Sequence, residues 1–328
     1  MSKLPSDIER EVLVRAQDMT DPRYGCEPTK RLIKEHIRLG VINLDKQVGP
    51  TSHEIVAWVK RVLEVHRAGH SGTLDPKVSG ILPVALEDAT KLTQTLLPAG
   101  KEYICVVHLH DNVPQHRLEQ ALHDFEGEIY QRPPIRAAVK RVLRKRKIYY
   151  IELLERDGKD ALLRVGCEAG TYIRKLLFDL GEVLGCGAHM AELRRTRAGP
   201  FREDETLTKL HDLADAYAFW REEGAEEHLR KVILPVEAAV GHLPKLVVRD
   251  GAVDALCHGA SLAAPGVLTV ETGVSPGSLV ALMTLKGELI ALAKAEMTSK
   301  QICDAEHGIV AKPERVVMSP GVYPKKWK

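Results

Sequence analysis

The chain has no paired cysteines. Cys26, Cys105, Cys167, Cys186, Cys257 and Cys303 stand apart, with no C-x-x-C among them. That spacing excludes the close sets that structural zinc modules and disulfide frameworks need. Most of them, like Cys105 within Tyr103-Ile104-Cys105-Val106-Val107, read as small core residues in a reducing compartment. No run approaches the roughly 18 apolar residues of a membrane span, and Met1-Ser2-Lys3-Leu4-Pro5-Ser6 opens no signal-peptide pattern. The expected location is the cytoplasm. Neither G-x-G-x-x-G nor a phosphate-cradling P-loop occurs.

A charge excess is missing too. Across 328 residues, 47 basic side chains meet 45 acidic ones, leaving a net charge of +2. The distribution is less even. Arg132, Arg136, Lys140, Arg141, Arg144, Lys145, Arg146 and Lys147 follow one another without an acid, so one short segment holds +8 and the rest of the chain −6. Such a concentration fits either a solvated face or a surface for phosphates. An apolar content of 44% with 28% charged residues excludes wholesale disorder, and the length suits about two domains.

Residues 7–16 carry an amphipathic, helix-like pattern, and Pro22 and Pro28 punctuate the stretch after it. Val41-Ile42-Asn43-Leu44 reads as a short strand. Thr51-Ser52-His53-Glu54 has the form of a capping box, and Ile55, Trp58, Val59, Val62 and Leu63 then share one helical face. Helices are expected over 88–97, 171–184 and 203–231, strands over 103–110, 148–154 and 161–167. Strands and helices intermix without a βαβ repeat, which predicts an α+β fold on a mixed, largely antiparallel sheet. Beyond His242 short strands and glycine-rich turns predict a small β-barrel-like module, with one helix over 251–258 capped by Asp250. The division expected is 1–35 as an N-terminal extension packing beside the terminal module, 36–242 as the main domain, and 243–328 as that module.

Gly69-His70-Ser71-Gly72-Thr73-Leu74-Asp75-Pro76 is a loop that breaks the pattern. It fails the G-x-S-x-G nucleophile elbow, so a serine hydrolase is not indicated. Asp75 is either a turn-forming Asp-Pro or a carboxylate nucleophile displayed on a strained loop. His108 and His110 alternate onto one strand face, half of a metal site, but no third ligand is evident from spacing and surface or core histidines are the plainer reading.

Residues 69–82, ending Lys77-Val78-Ser79-Gly80-Ile81-Leu82, resemble the central motif of the TruB family of RNA pseudouridine synthases. Asn43-Leu44-Asp45-Lys46 with Gly49-Pro50-Thr51-Ser52 is similar to that family's first motif, with Gln47 where proline is usual. Lys101-Glu102-Tyr103, Gly170-Thr171-Tyr172-Ile173-Arg174 and 191–201 resemble three further motifs, in order. Cys257-His258-Gly259-Ala260-Ser261-Leu262 with Pro265-Gly266-Val267 is similar to a PUA RNA-binding domain. The combination resembles the archaeal dyskerin branch, which supplies the catalytic subunit of H/ACA ribonucleoproteins.

The resemblance implies a role for each residue. Asp75 is the nucleophile, aimed at either the base or the sugar, and Arg174 pairs with it because a guanidinium favours the ionised carboxylate. Tyr103 stacks on the flipped uracil and Tyr172 assists proton loss from C5. His70 lies near the flipping site. Arg132, Lys140, Arg141, Arg144, Arg194 and Arg195, with Gly259, Ala260, Pro265 and Gly266 of the PUA module, are expected on RNA. No cofactor or metal is implied. Implied partners are H/ACA guide RNA, substrate rRNA or tRNA, and small H/ACA partner proteins. Guide-independent modification of the tRNA T-arm is the enzymatic alternative. A non-catalytic RNA-binding scaffold would have no need of an intact Asp75, Tyr103 and Arg174.

Overall fold

The computed structural model describes residues 3–133 and 140–325, so Arg136 of the basic run lies outside it. Residues 7–16 do not form the expected helix. A single 3-10 turn, Pro5–Asp7, precedes the strand β1 (Val12–Val14). Three contiguous apolar residues meet an open sheet edge there, and the ladder that edge offers outweighs a weak helical periodicity.

α1 (Ile33–Arg38) leads into β2 (Gly40–Lys46), and the Thr51 capping box opens α2 (Ser52–Val62). β3 (Ala68–His70) and β4 (Ser79–Leu86) flank the glycine-rich loop. Residues 88–97 coil more tightly than an α-helix, as the 3-10 segment Glu87–Leu96. The hydroxyls of Thr90, Thr93 and Thr95 each donate to the carbonyl three residues back, which favours the tighter turn. β5 (Lys101–Leu109), α3 (Gln115–Asp124), β6 (Gly127–Gln131), β7 (Arg144–Asp157), β8 (Asp160–Cys167), α4 (Ile173–Leu184), β9 (Ala188–Ala198) and β10 (Phe201–Arg202) come next along the chain. The acidic stretch divides into α5 (Leu210–Glu223) and α6 (Glu226–Val232) at Gly224, before β11 (Leu234–Pro235).

The larger sheet runs β11-β2-β4-β9-β5-β8-β7-β6, with β3 on β4 and β10 on β9. β4 and β9 pair parallel; the other ladders described in this sheet are antiparallel. Two apolar clusters cover it. One packs α3 and α4 on β5, β7 and β8; the other packs α2, α5 and α6 on β2 and β4. Tyr103 of β5 touches both.

The smaller sheet uses β12 (Lys245–Val248), β13 (Leu262–Ala263), β14 (Val267–Glu271), β15 (Leu279–Met283), β16 (Leu289–Ala295) and β17 (Ile309–Val316), with α7 (Asp250–Cys257) and α8 (Ser299–Asp304). β1 completes its edge by pairing with β14. Arg249, not Asp250, stands at the cap of α7. Asp250 instead accepts from the Thr20 hydroxyl and the Asp21 amide, tying the N-terminal segment down. The two sheets share an apolar seam, where Leu39, Leu92, Val236 and Val240 meet Met283, Leu289 and Leu292. Beside it Arg31 forks onto Glu237 at 2.9 and 2.6 Å, and Glu237 also receives the Leu289 amide.

Candidate active site

The loop between β3 and β4 is held from below by three buried polar side chains. Lys46, fully buried, spends its ammonium on four carbonyls: Gln47, Asp75, Pro76 and Val78, at 2.8–3.4 Å. Ser52, the first residue of α2, accepts from the Leu74 amide at 2.9 Å and donates to the Leu74 carbonyl at 3.1 Å. The Val78 amide closes the turn on the Asp75 carbonyl at 3.0 Å. With backbone on both sides fixed, the Asp75 side chain is left pointing outward, about half exposed.

Arg195 is the third support. It is 1% exposed, and its guanidinium donates to the carbonyls of Ile81 at 2.7 Å and Gly72 at 3.2 Å. That corrects its assignment to RNA: a buried cation already donating to backbone cannot reach phosphates. Gly80 makes the approach feasible, since a Cβ there would lie 2.2 Å from the Arg195 carbonyl oxygen, and its φ of +103° suits glycine. Arg195 also faces Tyr103 across the β5–β9 ladder; burial pushes the Tyr103 phenol's pKa up, and the nearby Arg195 charge works against that rise. Arg194, on the same strand, is about one-third exposed and bridges Asp45 at 3.0 Å and Glu203 at 2.5 Å.

Arg174 comes from the first turn of α4, 99 residues further along the chain, and its Nη2 sits 2.5 Å from Asp75 Oδ2. What aims α4 is Gln131 at the end of β6. Its side-chain amide accepts from the Tyr172 N–H at 2.9 Å and donates to the Tyr172 carbonyl at 3.1 Å, fixing the residue before the helix. Gln131, Ser52 and Lys46 carry no chemistry-bearing signal of their own, and sequence reading missed these roles. Apart from Gln47 beside Lys46, their partners lie 22 to 41 residues away. His70 ends β3, half-buried, with its ring edge-on to His53 at 5.2 Å. Burial lowers its pKa, and neighbouring His53 and Arg195 act in the same direction.

Arg132, Lys140 and Arg141 are exposed and Arg144 half-buried. Arg132 and Arg141 line a cavity of about 950 Å³ that also reaches Arg174, Tyr130, Leu143 and Phe178. The structure therefore brings part of the basic run beside the Asp75–Arg174 pair. In the smaller sheet Gly259 and Pro265 are exposed at the end of α7 and the turn before β14, with Ala260 and Gly266 next to them half-buried. Arg249 steadies that turn, donating to the Pro265 carbonyl.

Fold and site together define an enzyme that presents one guanidinium-paired carboxylate on a rigid loop, beside a cationic cavity. Family models agree. TruB family pseudouridylate synthase (N terminal domain) matches residues 60–173, and tRNA pseudouridylate synthase B C-terminal domain matches 174–241. A PUA domain matches 244–317 and a DKCLD (NUC011) domain 1–56. "Probable tRNA pseudouridine synthase B" of Methanopyrus kandleri is 60% identical over 99% of this chain and 96% of its own. Its namesake in Pyrococcus abyssi is 58% identical over 99% and 97%. Among solved structures, "Crystal Structure of a Cbf5-Nop10-Gar1 Complex" aligns at 58% identity and a TM-score of 0.95, covering 99% of both chains. "Structure of H/ACA RNP bound to a substrate RNA containing 2'-deoxyuridine" aligns at 56% and 0.94, over 99% and 100%. The chain belongs to the TruB family of pseudouridine synthases, isomerases acting on RNA, and carries a PUA domain.

Proposed function

We propose that this chain isomerises uridine to pseudouridine as the catalytic subunit of a guide-directed H/ACA particle in the cytoplasm, with Asp75 as nucleophile. The observation that carries the reading is the Asp75–Arg174 pair, assembled from two distant motifs on a loop held by buried cations. The reaction breaks the N1–C1′ bond and makes a C5–C1′ bond; N1 gains a proton and C5 loses one, so nothing is oxidised or reduced. Arg174 pairs with the Asp75 carboxylate and aims it. Tyr103 gives the extruded uracil a face to stack on, and Tyr172 stands two residues before Arg174 to assist at C5. His70 borders the path of extrusion. Arg132, Lys140, Arg141 and Arg144 hold phosphates, and Gly259, Ala260, Pro265 and Gly266 of the PUA domain grip the guide's end. The working division is 36–242 for catalysis and 243–328 for guide binding, with 1–35 packed beside the latter.

The particle assignment draws on two near-full-length structural relatives, one in complex with Nop10 and Gar1 and one in an H/ACA RNP with substrate RNA. A second reading, guide-independent modification of tRNA, is favoured by the names of the sequence relatives. The test is a reconstitution with and without guide RNA and small partner proteins, mapping pseudouridine in rRNA and tRNA targets. Asp75→Asn keeps the shape but is no nucleophile, so turnover should drop by at least about 10⁴-fold while RNA binding and thermal stability hold. Measurable turnover by that variant would remove Asp75 from the mechanism. Modification of tRNA without guide, at the rate seen with it, would transfer the assignment to the second reading.

A further inference from the structure

Most of the N-terminal extension runs beside the smaller sheet, but Leu4 to Asp7 lie on the catalytic one. Leu4 is fully buried. It sits over Gly100, where a Cβ would stand 3.0 Å from Leu4 Cδ2 and from Pro5 Cδ. The Asp7 amide donates to the Leu4 carbonyl at 2.9 Å, and Asp7 Oδ2 accepts from the Leu4 amide at 3.1 Å, so the turn is locked on itself. That turn aims the Asp7 carboxylate at β9 and β10. Arg197 donates to it with Nη1 3.0 Å from Oδ2, and Arg202 with Nη2 3.0 Å from Oδ1. Burial works against an ionised Asp7, yet Arg197, the Leu4 amide and Arg202 hold its pKa below the ordinary 3.8.

The two arginines need such a partner. Arg197 and Arg202 are direct cross-strand partners at the β9–β10 corner, and like charges placed opposite one another push strands apart. Glu102, opposite Arg197 on β5, is already committed to the Thr196 hydroxyl at 2.8 Å and the Tyr150 hydroxyl at 2.7 Å. The corner matters because of what precedes it. Along the β5–β9 ladder Glu102 faces Arg197 and Tyr103 faces Arg195, so Thr196 is passed over. A bulge of this kind bends its strand and re-aims the side chains beside it. Arg195, just before Thr196, is the side chain that reaches under the Asp75 loop to the Ile81 and Gly72 carbonyls.

We propose that Asp7 is a positioning residue for the isomerisation, the counter-ion that keeps the β9–β10 corner closed and so holds the bulge that aims Arg195. The inference rests on the reading of the Asp75 loop as the catalytic one. Asp7 touches no reacting atom; it acts through Arg197, then the bulge, then Arg195. The extension therefore serves both parts of the molecule, with Leu4 to Asp7 on the catalytic sheet and β1 on the smaller one. A corner that opens by even about 1 Å would slacken the support under Asp75, a displacement that can cost about a hundredfold in rate.

The experiment measures two things on the full chain: pseudouridine formation on a guide-directed target in the reconstituted particle, and amide hydrogen exchange across residues 195–202. Asp7→Ala should lower kcat at least about tenfold with KM within about twofold, and should speed exchange at the corner. Asp7→Asn, which keeps an acceptor for the Leu4 amide and loses the charge, should fall between Asp7→Ala and the parent. Arg202→Gln placed in the Asp7→Ala chain removes one of the two facing charges and should restore about threefold or more of the lost rate. Glu9→Gln is the control, because its ion pair with Lys3 is exposed and should matter to neither measurement. Unchanged kcat in Asp7→Ala overturns the proposal, whether or not exchange quickens. A raised KM with intact kcat also overturns it and assigns the segment to RNA binding. Should the parent particle make no pseudouridine, the functional reading falls, while exchange at the corner still upholds or overturns the clasp.

Discussion

Two sets of cations divide the labour in this protein. Lys46, Lys101 and Arg195 are almost entirely buried under the catalytic sheet and spend their donors on backbone carbonyls. Arg132 and Arg141 lie outside, exposed around the cavity that reaches Arg174, and Lys140 is exposed next to Arg141 in the chain. A count of basic residues treats the sets alike. Their energetics are opposite: removing a buried donor strands the carbonyls it satisfied, whereas an exposed arginine loses only solvated charge. The difference teaches that positive charge near this active site is mostly scaffold, with only its outer part free for RNA.

Arg174 sits between the sets, exposed yet committed to Asp75, and should give the largest effect. Arg174→Lys keeps the charge and loses the planar fork. Activity should fall about 100-fold or more, with the melting temperature unchanged; near-normal rates would reduce the pairing to simple electrostatics. Arg195→Met tests the buried set. It leaves the Gly72 and Ile81 carbonyls without their donor, at about 1–3 kcal/mol for each buried group. Chemical denaturation should register a loss of about 2–5 kcal/mol, with a parallel loss of activity as the loop slackens. A stability change within about 0.5 kcal/mol would return Arg195 to the outer set.

Lys101 makes the comparison pH-dependent. Its ammonium donates to the Leu96 and Ala99 carbonyls, and burial brings its pKa down to about 7. In the unfolded chain it titrates near 10.5. Between those values the unfolded state holds more protons, so this group's contribution to stability is complete above 10.5 and is lost as pH falls toward 7. Relative to Lys101→Met, the parent protein should therefore gain stability as pH is raised from 7 to 10. Parallel stability curves for the two proteins would show that Lys101 stays charged.

Legibility followed the range of the contacts. The turn at Asp75-Pro76 was visible because turn chemistry is local, and the strand around Tyr103 because apolar, β-branched runs declare themselves, but the roles of Asp75 and Tyr103 came only from the resemblance of their motifs to the TruB family. The clasps that aim the site were not. Ser52 on Leu74, Gln131 on Tyr172 and Arg195 on Gly72 join residues 22, 41 and 123 positions apart, and no periodicity encodes them. The same cause misdirected Arg195, whose burial depends on a parallel β4–β9 pairing that the sequence does not announce. Residues 12–14 failed differently, because an edge of the other sheet overrode their local preference.

The exposed set should give the smallest and most specific effect. Lys140→Ala, Arg141→Ala and Arg144→Ala, singly, should each move stability by less than about 0.5 kcal/mol, since among the described residues the Arg141 and Arg144 side chains bond to the carbonyls of Pro133 and Lys140. Their effect belongs to RNA affinity. A phosphate contact releases a counterion, so each one removed should flatten the slope of log affinity against log salt by about 0.7–0.9. The change should be the same for matched and scrambled targets, because phosphates carry no sequence. Filter binding across a salt series, on the full chain with its guide, separates this from the buried set: Arg195→Met should lower activity and stability and leave the salt slope alone. A flattened slope for Arg195→Met, or an unchanged slope for all three outer variants, would dissolve the distinction between inner and outer cations.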